Sequence, residues 1–181
     1  MKKVVMDIFE NAAPLPTPLE RKRTQGCMND HERHMRRAIE LAAKVPELPF
    51  GAVIVDRATG TILSEGWNKT SKNPMWHGEI DAINTLAASS VGIEGKNLVL
   101  YTTAEPCLMC QGAILWSGIE TVVYGTSIRS LQRMGWRQID ILAEEVVRRS
   151  PAWHCKLIGS VLERECDALF ERAMLHRNHP K

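Results

Sequence analysis

Four side chains in two short pieces of the sequence carry the chemistry. His77 and Glu79 stand two apart in His77-Gly78-Glu79, and Cys107 and Cys110 three apart in Pro106-Cys107-Leu108-Met109-Cys110. Two thiolates separated by two residues can grip one cation, and His77 adds a neutral nitrogen ligand. Three protein ligands leave a fourth position open, which is the pattern of catalytic rather than structural zinc. Zinc lowers the pKa of a bound water to about 7, and a carboxylate two residues from a ligand reaches that water without binding the metal. The parts expected are one zinc ion per chain, held by His77, Cys107 and Cys110, with Glu79 as the proton shuttle.

Other readings of the cysteines stand beside this one. A lone CxxC in a reducing compartment also fits a thioredoxin-like redox pair, and two unliganded cysteines fit simple core packing. A structural zinc site needs a fourth ligand, which His154 or Cys155 would supply. Pro106 before the first cysteine and the His-x-Glu upstream favour the catalytic zinc reading.

The elements around these pieces must place them together. Each piece follows a loop and opens a predicted helix, so each helix presents an N-terminal turn whose unpaired N–H groups and positive dipole favour thiolate over thiol. The spacing predicts helices over 31–44, His77–Ala88 and Cys107 to about Trp116, a short one at 143–149, and an amphipathic one over Val161–Met174. Strands are predicted at Phe50–Asp56, Thr61–Trp67, Asn97–Thr103 and Glu120–Thr126, with a short edge strand at Lys156–Ile158. Strands alternating with helices argue for an α/β three-layer domain. Asn29-Asp30 reads as the cap of the first helix. Residues 1–28, with Pro14, Pro16 and Pro18 alternating, read as an irregular leader to a domain spanning 29–181.

Composition narrows the class. The chain has 181 residues, 44% of them hydrophobic and 24% charged, with a net charge of +2. That fits one folded domain and excludes a strongly basic, phosphate-coated body. Five cysteines are too few for a disulfide scaffold, and no apolar run is long enough for a membrane span or a secretory signal. A cytoplasmic protein with free thiols is expected.

His77-Gly78-Glu79 with Pro106-Cys107-x-x-Cys110 resembles the signature of the cytidine/deoxycytidylate deaminase superfamily. The resemblance runs from about Asp30 to Ser127. It includes Pro49-Phe50-Gly51-Ala52-Val53-Ile54-Val55, Gly66-Trp67-Asn68, Thr103-Ala104-Glu105-Pro106-Cys107 and Gly112-Ala113-Ile114-Leu115-Trp116-Ser117-Gly118-Ile119. It implies an αβα sandwich around a five-stranded mixed sheet, and a hydrolytic deaminase in which Glu79 handles the protons. By position, Asn68 would hydrogen-bond the substrate base, Phe50-Gly51-Ala52 would wall its pocket, and Trp116 would stack on the ring. A homodimer is also implied.

Two branches share these features. The strand at 49–55 and Trp116 are similar to bacterial guanine deaminases, and Gly66-Trp67-Asn68 and the terminal helix to tRNA-adenosine deaminases. Gly78, where both usually carry Ala, is similar to fungal cytosine deaminases. Guanine or a related aminopurine is the expected substrate, with tRNA adenosine or cytosine as alternatives. Trp136 and Trp153 read as packing residues. Arg129, Arg133 and Arg137, four apart, would share a helical face, and Asp81 reads as exposed.

Overall fold

The computed structural model describes residues 17–93 and 97–178. Its elements follow in the order α1 (Pro18–Ala42), β1 (Gly51–Asp56), β2 (Ile62–Trp67), α2 (Gly78–Ala87), β3 (Leu98–Ala104), α3 (Leu108–Trp116), β4 (Thr121–Thr126), α4 (Ile128–Arg133), α5 (Ala143–Arg148), β5 (Lys156–Ile158) and α6 (Glu163–Asn178). The five strands form one mixed sheet in the order β2-β1-β3-β4-β5. β1 runs antiparallel to β2 and β3, while β3, β4 and β5 are parallel. This is the α/β sandwich with a five-stranded mixed sheet expected from the sequence.

Alternation along β1 shows how the layers form. Val53 and Val55 face Met35, Ala38 and Leu41 of α1 and Cys166 of α6. Ala52 and Ile54 face Ala82, Ile83 and Leu86 of α2 and Ile114 of α3. Successive residues of a strand point to opposite faces, so a fully apolar strand calls for helices on both sides. A third cluster, of Ala104, Leu131, Trp136, Phe170 and Ala173, closes the end of the sheet where β3 finishes.

The boundaries differ from expectation in four places. α1 begins at Pro18, so residues 18–28 are helical and the irregular leader does not reach Asn29-Asp30. Thr17-Pro18 explains this: proline is favoured at the first helical position, where its missing N–H costs nothing, and threonine suits the position before it. The rest of the expected leader, residues 1–16, lies outside the described residues. α6 starts at Glu163 rather than Val161, because Leu162 (φ 52°) is left-handed and ends any helix passing through it. It runs on to Asn178. α4 is additional: Ser127 caps it by accepting from the Ser130 N–H. Gly135 (φ 90°) terminates it, so Arg137 lies beyond the helix and shares no face with Arg129 and Arg133.

Candidate active site

β3 ends at Ala104, and β1 begins and β2 ends at that same edge of the sheet, with Gly51 opposite Trp67. The loops that leave this edge start α2 and α3. His77 and Cys107 are the residues before the first helical turn of each, with extended backbones (φ −70°, ψ 164° and φ −64°, ψ 167°). Neither side chain caps its own helix, so both project from the helix ends.

His77 Nδ1 lies 3.7 Å from Cys107 Sγ and 3.6 Å from Cys110 Sγ. All three ligand atoms fall within 4.8 Å of one another, the one such group of three among the described residues. Zn–S and Zn–N bonds of about 2.3 and 2.05 Å at a tetrahedral angle separate N from S by about 3.6 Å. The donor set and its spacing therefore fit zinc.

The three residues perturb one another electrostatically. Cys107 is pulled down to about 4, first by the hydrogen bond from Cys110 and then by His77. The thiolate on Cys107 in turn pushes Cys110 well up and raises His77. Glu79 is buried, and desolvation, then the Cys107 thiolate, raises its carboxyl above the usual range. The Thr102 hydroxyl donates to Glu79 Oε1 at a long 3.5 Å.

Above the ligands opens a cleft of about 720 Å³, lined by His77, Cys107, Asn68, Phe50, Trp136 and Arg177 among others. Asn68 lines the cleft. Its Oδ1 accepts from the Thr70 N–H (3.1 Å) and hydroxyl (2.7 Å). A backbone N–H needs an oxygen opposite it, which fixes the amide orientation and leaves Nδ2 as the donor open to a ligand. Phe50 lines the cleft. Its carbonyl accepts from the Asn68 N–H, while the Gly51 N–H donates to Thr103 Oγ1. Gly51 and Ala52 are buried, and Ala52 packs into the core on the α2 side.

Two glycines make the close packing here. A Cβ on Gly66 would sit 2.3 Å from the Gly78 carbonyl oxygen, and one on Gly78 2.7 Å from the Phe50 carbonyl oxygen. Gly78 thus lets the first turn of α2 lie directly on the cleft wall.

Trp116 is not brought to the cleft. It ends α3, about 12 Å along the axis from Leu108, is 79% exposed, and packs edge-on to Trp153 at 4.9 Å. The aromatic wall is Trp136 instead, 5% exposed and edge-on to Phe50 (5.5 Å) and Phe170 (5.5 Å). The Arg177 guanidinium lies 4.3 Å from its ring centroid. Trp136 was read as packing only. It does pack, and it also lines the cleft. Asp81 is buried, not exposed: it holds the Lys69 ammonium at 2.7 Å and accepts from the Trp67 N–H.

Glu105 is a further site residue that the sequence alone did not single out. It is buried two positions before Cys107, and its two oxygens accept from the Ile128 and Ala143 N–H groups, both at 2.9 Å. It pins both ends of the segment that carries Trp136.

Residues 28–126 match the family described as the cytidine and deoxycytidylate deaminase zinc-binding region. A tRNA-specific adenosine deaminase of Haemophilus influenzae is 45% identical over 101 residues, which are 53% of this chain and 58% of the relative. The chain thus spans little more than half the length of that relative. A guanine deaminase of Bacillus subtilis is 35% identical over 128 residues, 64% of this chain and 81% of the relative. In fold, the chain is similar to the guanine deaminase of Nitrosomonas europaea, with a TM-score of 0.70 and 23% identity over 80% of this chain and 84% of that one.

Proposed function

This chain belongs to the cytidine and deoxycytidylate deaminase zinc-binding family, and on that premise we propose that it is a zinc-dependent hydrolytic deaminase of an amino-substituted nucleobase ring. The observation that carries the proposal is a buried carboxylate, Glu79, next to a His77–Cys107–Cys110 group with zinc spacing, under a cleft walled by Phe50 and Trp136.

When bound, zinc supplies the Lewis acidity that makes water a nucleophile at neutral pH. Glu79 takes one proton from the attacking water and passes it to the ring nitrogen, then takes the second from the hydroxyl left on the ring carbon and passes it to the departing amino group. Carbon–oxygen replaces carbon–nitrogen, and ammonia leaves. Burial first, then the Cys107 thiolate, raises the pKa of Glu79, which favours a carboxyl that can hold the proton it takes. Asn68 Nδ2 donates to an acceptor on the base. Phe50 and Trp136, edge-on to each other, form one apolar wall against which the base packs, while Gly51 and Ala52 support that wall from behind.

The favoured substrate is guanine or a related aminopurine, supported by the apolar wall of Phe50 and Trp136 and by the 35% identity to the Bacillus subtilis guanine deaminase. Adenosine in a tRNA loop is the second reading. Arg137 and Arg177 at the cleft, and the identity to the Haemophilus influenzae relative, favour it. We also assign a homodimer, with the exposed Trp116, backed by the half-buried Trp153, at its contact; sedimentation of the wild type against Trp116→Ala tests that.

Ammonia release should be assayed on guanine, adenine, cytosine, their nucleosides and an anticodon stem-loop. Turnover of guanine, insensitive to salt, is expected. Inosine formed only in the stem-loop, with affinity falling steeply with salt, would replace the first reading with the second. No turnover of any of them by the zinc-loaded protein would reject both.

A further inference from the structure

A second cavity, of about 470 Å³, lies at the other end of the sheet from the metal ligands. There the end of β1 and the starts of β3, β4 and β5 meet α1. No residue of the proposed deamination lines it. We propose that this cavity binds the phosphate group of a small phosphorylated ligand.

Its lining is cationic. Arg33, Arg57 and Lys156 stand against one carboxylate, Asp30, which lies 3.8 Å from Arg33. Arg57 and Lys156 have no carboxylate partner among the described residues. Two imidazoles line it as well. His34 is 4% exposed and sits with its Nε2 3.2 Å from Arg33 Nη2, while its Nδ1 has no partner among the described residues. His31 Nδ1 lies 2.9 Å from the Tyr101 hydroxyl.

Like charges gathered in a concavity repel one another unless an anion joins them. Two signs of that field are visible. Burial and Lys156 hold His31 below its usual pKa, and burial and Arg33 do the same to His34. The shape of the ligand follows from the donors. Two guanidinium forks and one ammonium offer more donors than the two oxygens of a carboxylate accept, whereas a phosphate monoester presents three oxygens to them. The volume exceeds what a free phosphate fills and falls in the range of small-molecule pockets, about 300–1,000 Å³. A phosphate carried by a nucleoside-sized body fits that space.

The test is calorimetric titration of the full-length, zinc-loaded protein with inorganic phosphate and with uridine monophosphate. The nucleotide has no ring amino group, so it cannot be turned over. Saturable binding of both is expected, tighter for the nucleotide. It should weaken about tenfold or more in the double variant Arg57→Ala/Lys156→Ala. Both side chains are exposed, so the core is untouched. The cleft variant Trp136→Ala should leave this binding unchanged. Equal binding of both ligands assigns the pocket to the phosphate group alone, within the proposal. No saturable binding overturns it, as does equal affinity in the double variant, or binding lost in Trp136→Ala instead. None of these outcomes depends on the deaminase reading.

Discussion

Asp81 holds the Lys69 ammonium at 2.7 Å, and this pair locks the loop after β2 onto α2. Lys69 follows Asn68, and the Asp81 N–H donates to the His77 carbonyl. One carboxylate therefore links the backbone next to Asn68 to the turn that carries His77 and Glu79. Asp81→Ala strands the ammonium in a partly buried place and should cost about 2 kcal/mol of stability. KM should rise more than kcat falls, with zinc content unchanged. Chemical denaturation and steady-state kinetics read these directly; an unchanged KM would refute the coupling.

Glu79→Gln keeps the shape of the buried side chain and removes its proton chemistry. Turnover should fall at least about a hundredfold while each chain still binds one zinc. Metal analysis of the purified variant separates this from loss of the ion. Retained turnover would remove Glu79 from the mechanism.

Removing zinc should expose a reactive thiol. Because the Cys107 pKa is lowered, to about 4, its thiolate is populated at every pH above that value in the metal-free protein. Iodoacetamide at pH 6 should then modify Cys107 quickly, and zinc should protect it. Cys166, pushed up to about 12 by burial, should stay unmodified in both forms. Mass spectrometry of the alkylated peptides decides this. Equal labelling of Cys107 with and without metal would argue against its role as a ligand.

Glu105→Gln turns one acceptor of the double clamp into a donor facing an N–H. A cost of about 1–3 kcal/mol is expected for the broken buried bond. Amide hydrogen exchange at Ile128 and Ala143 should quicken, and substrate affinity should fall through Trp136. Exchange rates unchanged at both amides would show that the clamp contributes nothing.

The ligands and Glu79 were legible in the sequence because the information is local. The two-residue gap and the helix starts are local, and only the meeting of the two helix starts depends on the sheet. The sheet and its two helix layers followed from alternation and periodicity in the same way. What was not legible depends on distant contacts. Trp136 reaches the cleft on a segment whose ends are held by Glu105, far earlier in the chain, and its ring is seated by Phe50 and Phe170. Trp116, whose place in the motif suggested stacking, is carried about 12 Å down α3 from its start by the helical rise alone. The start of α1 was present as Thr17-Pro18, but three alternating prolines favoured an extended reading. Gly78, which the sequence shows only as a departure from the alanine of both purine branches, acquires its reason from the Phe50 carbonyl 2.7 Å from where its Cβ would be.

The double acceptance by Glu105 has a consequence for how this fold diversifies. The stretch between Ile128 and Ala143 is fastened to the metal loop at its two ends by backbone N–H groups, which any residue except proline supplies. Its interior can therefore be exchanged without touching the ligands two residues beyond the clamp, provided that Leu131 and Trp136 keep their places in the third core cluster. A designer wishing to retarget the enzyme would exchange that stretch whole, as a cassette, and leave Glu105 in place.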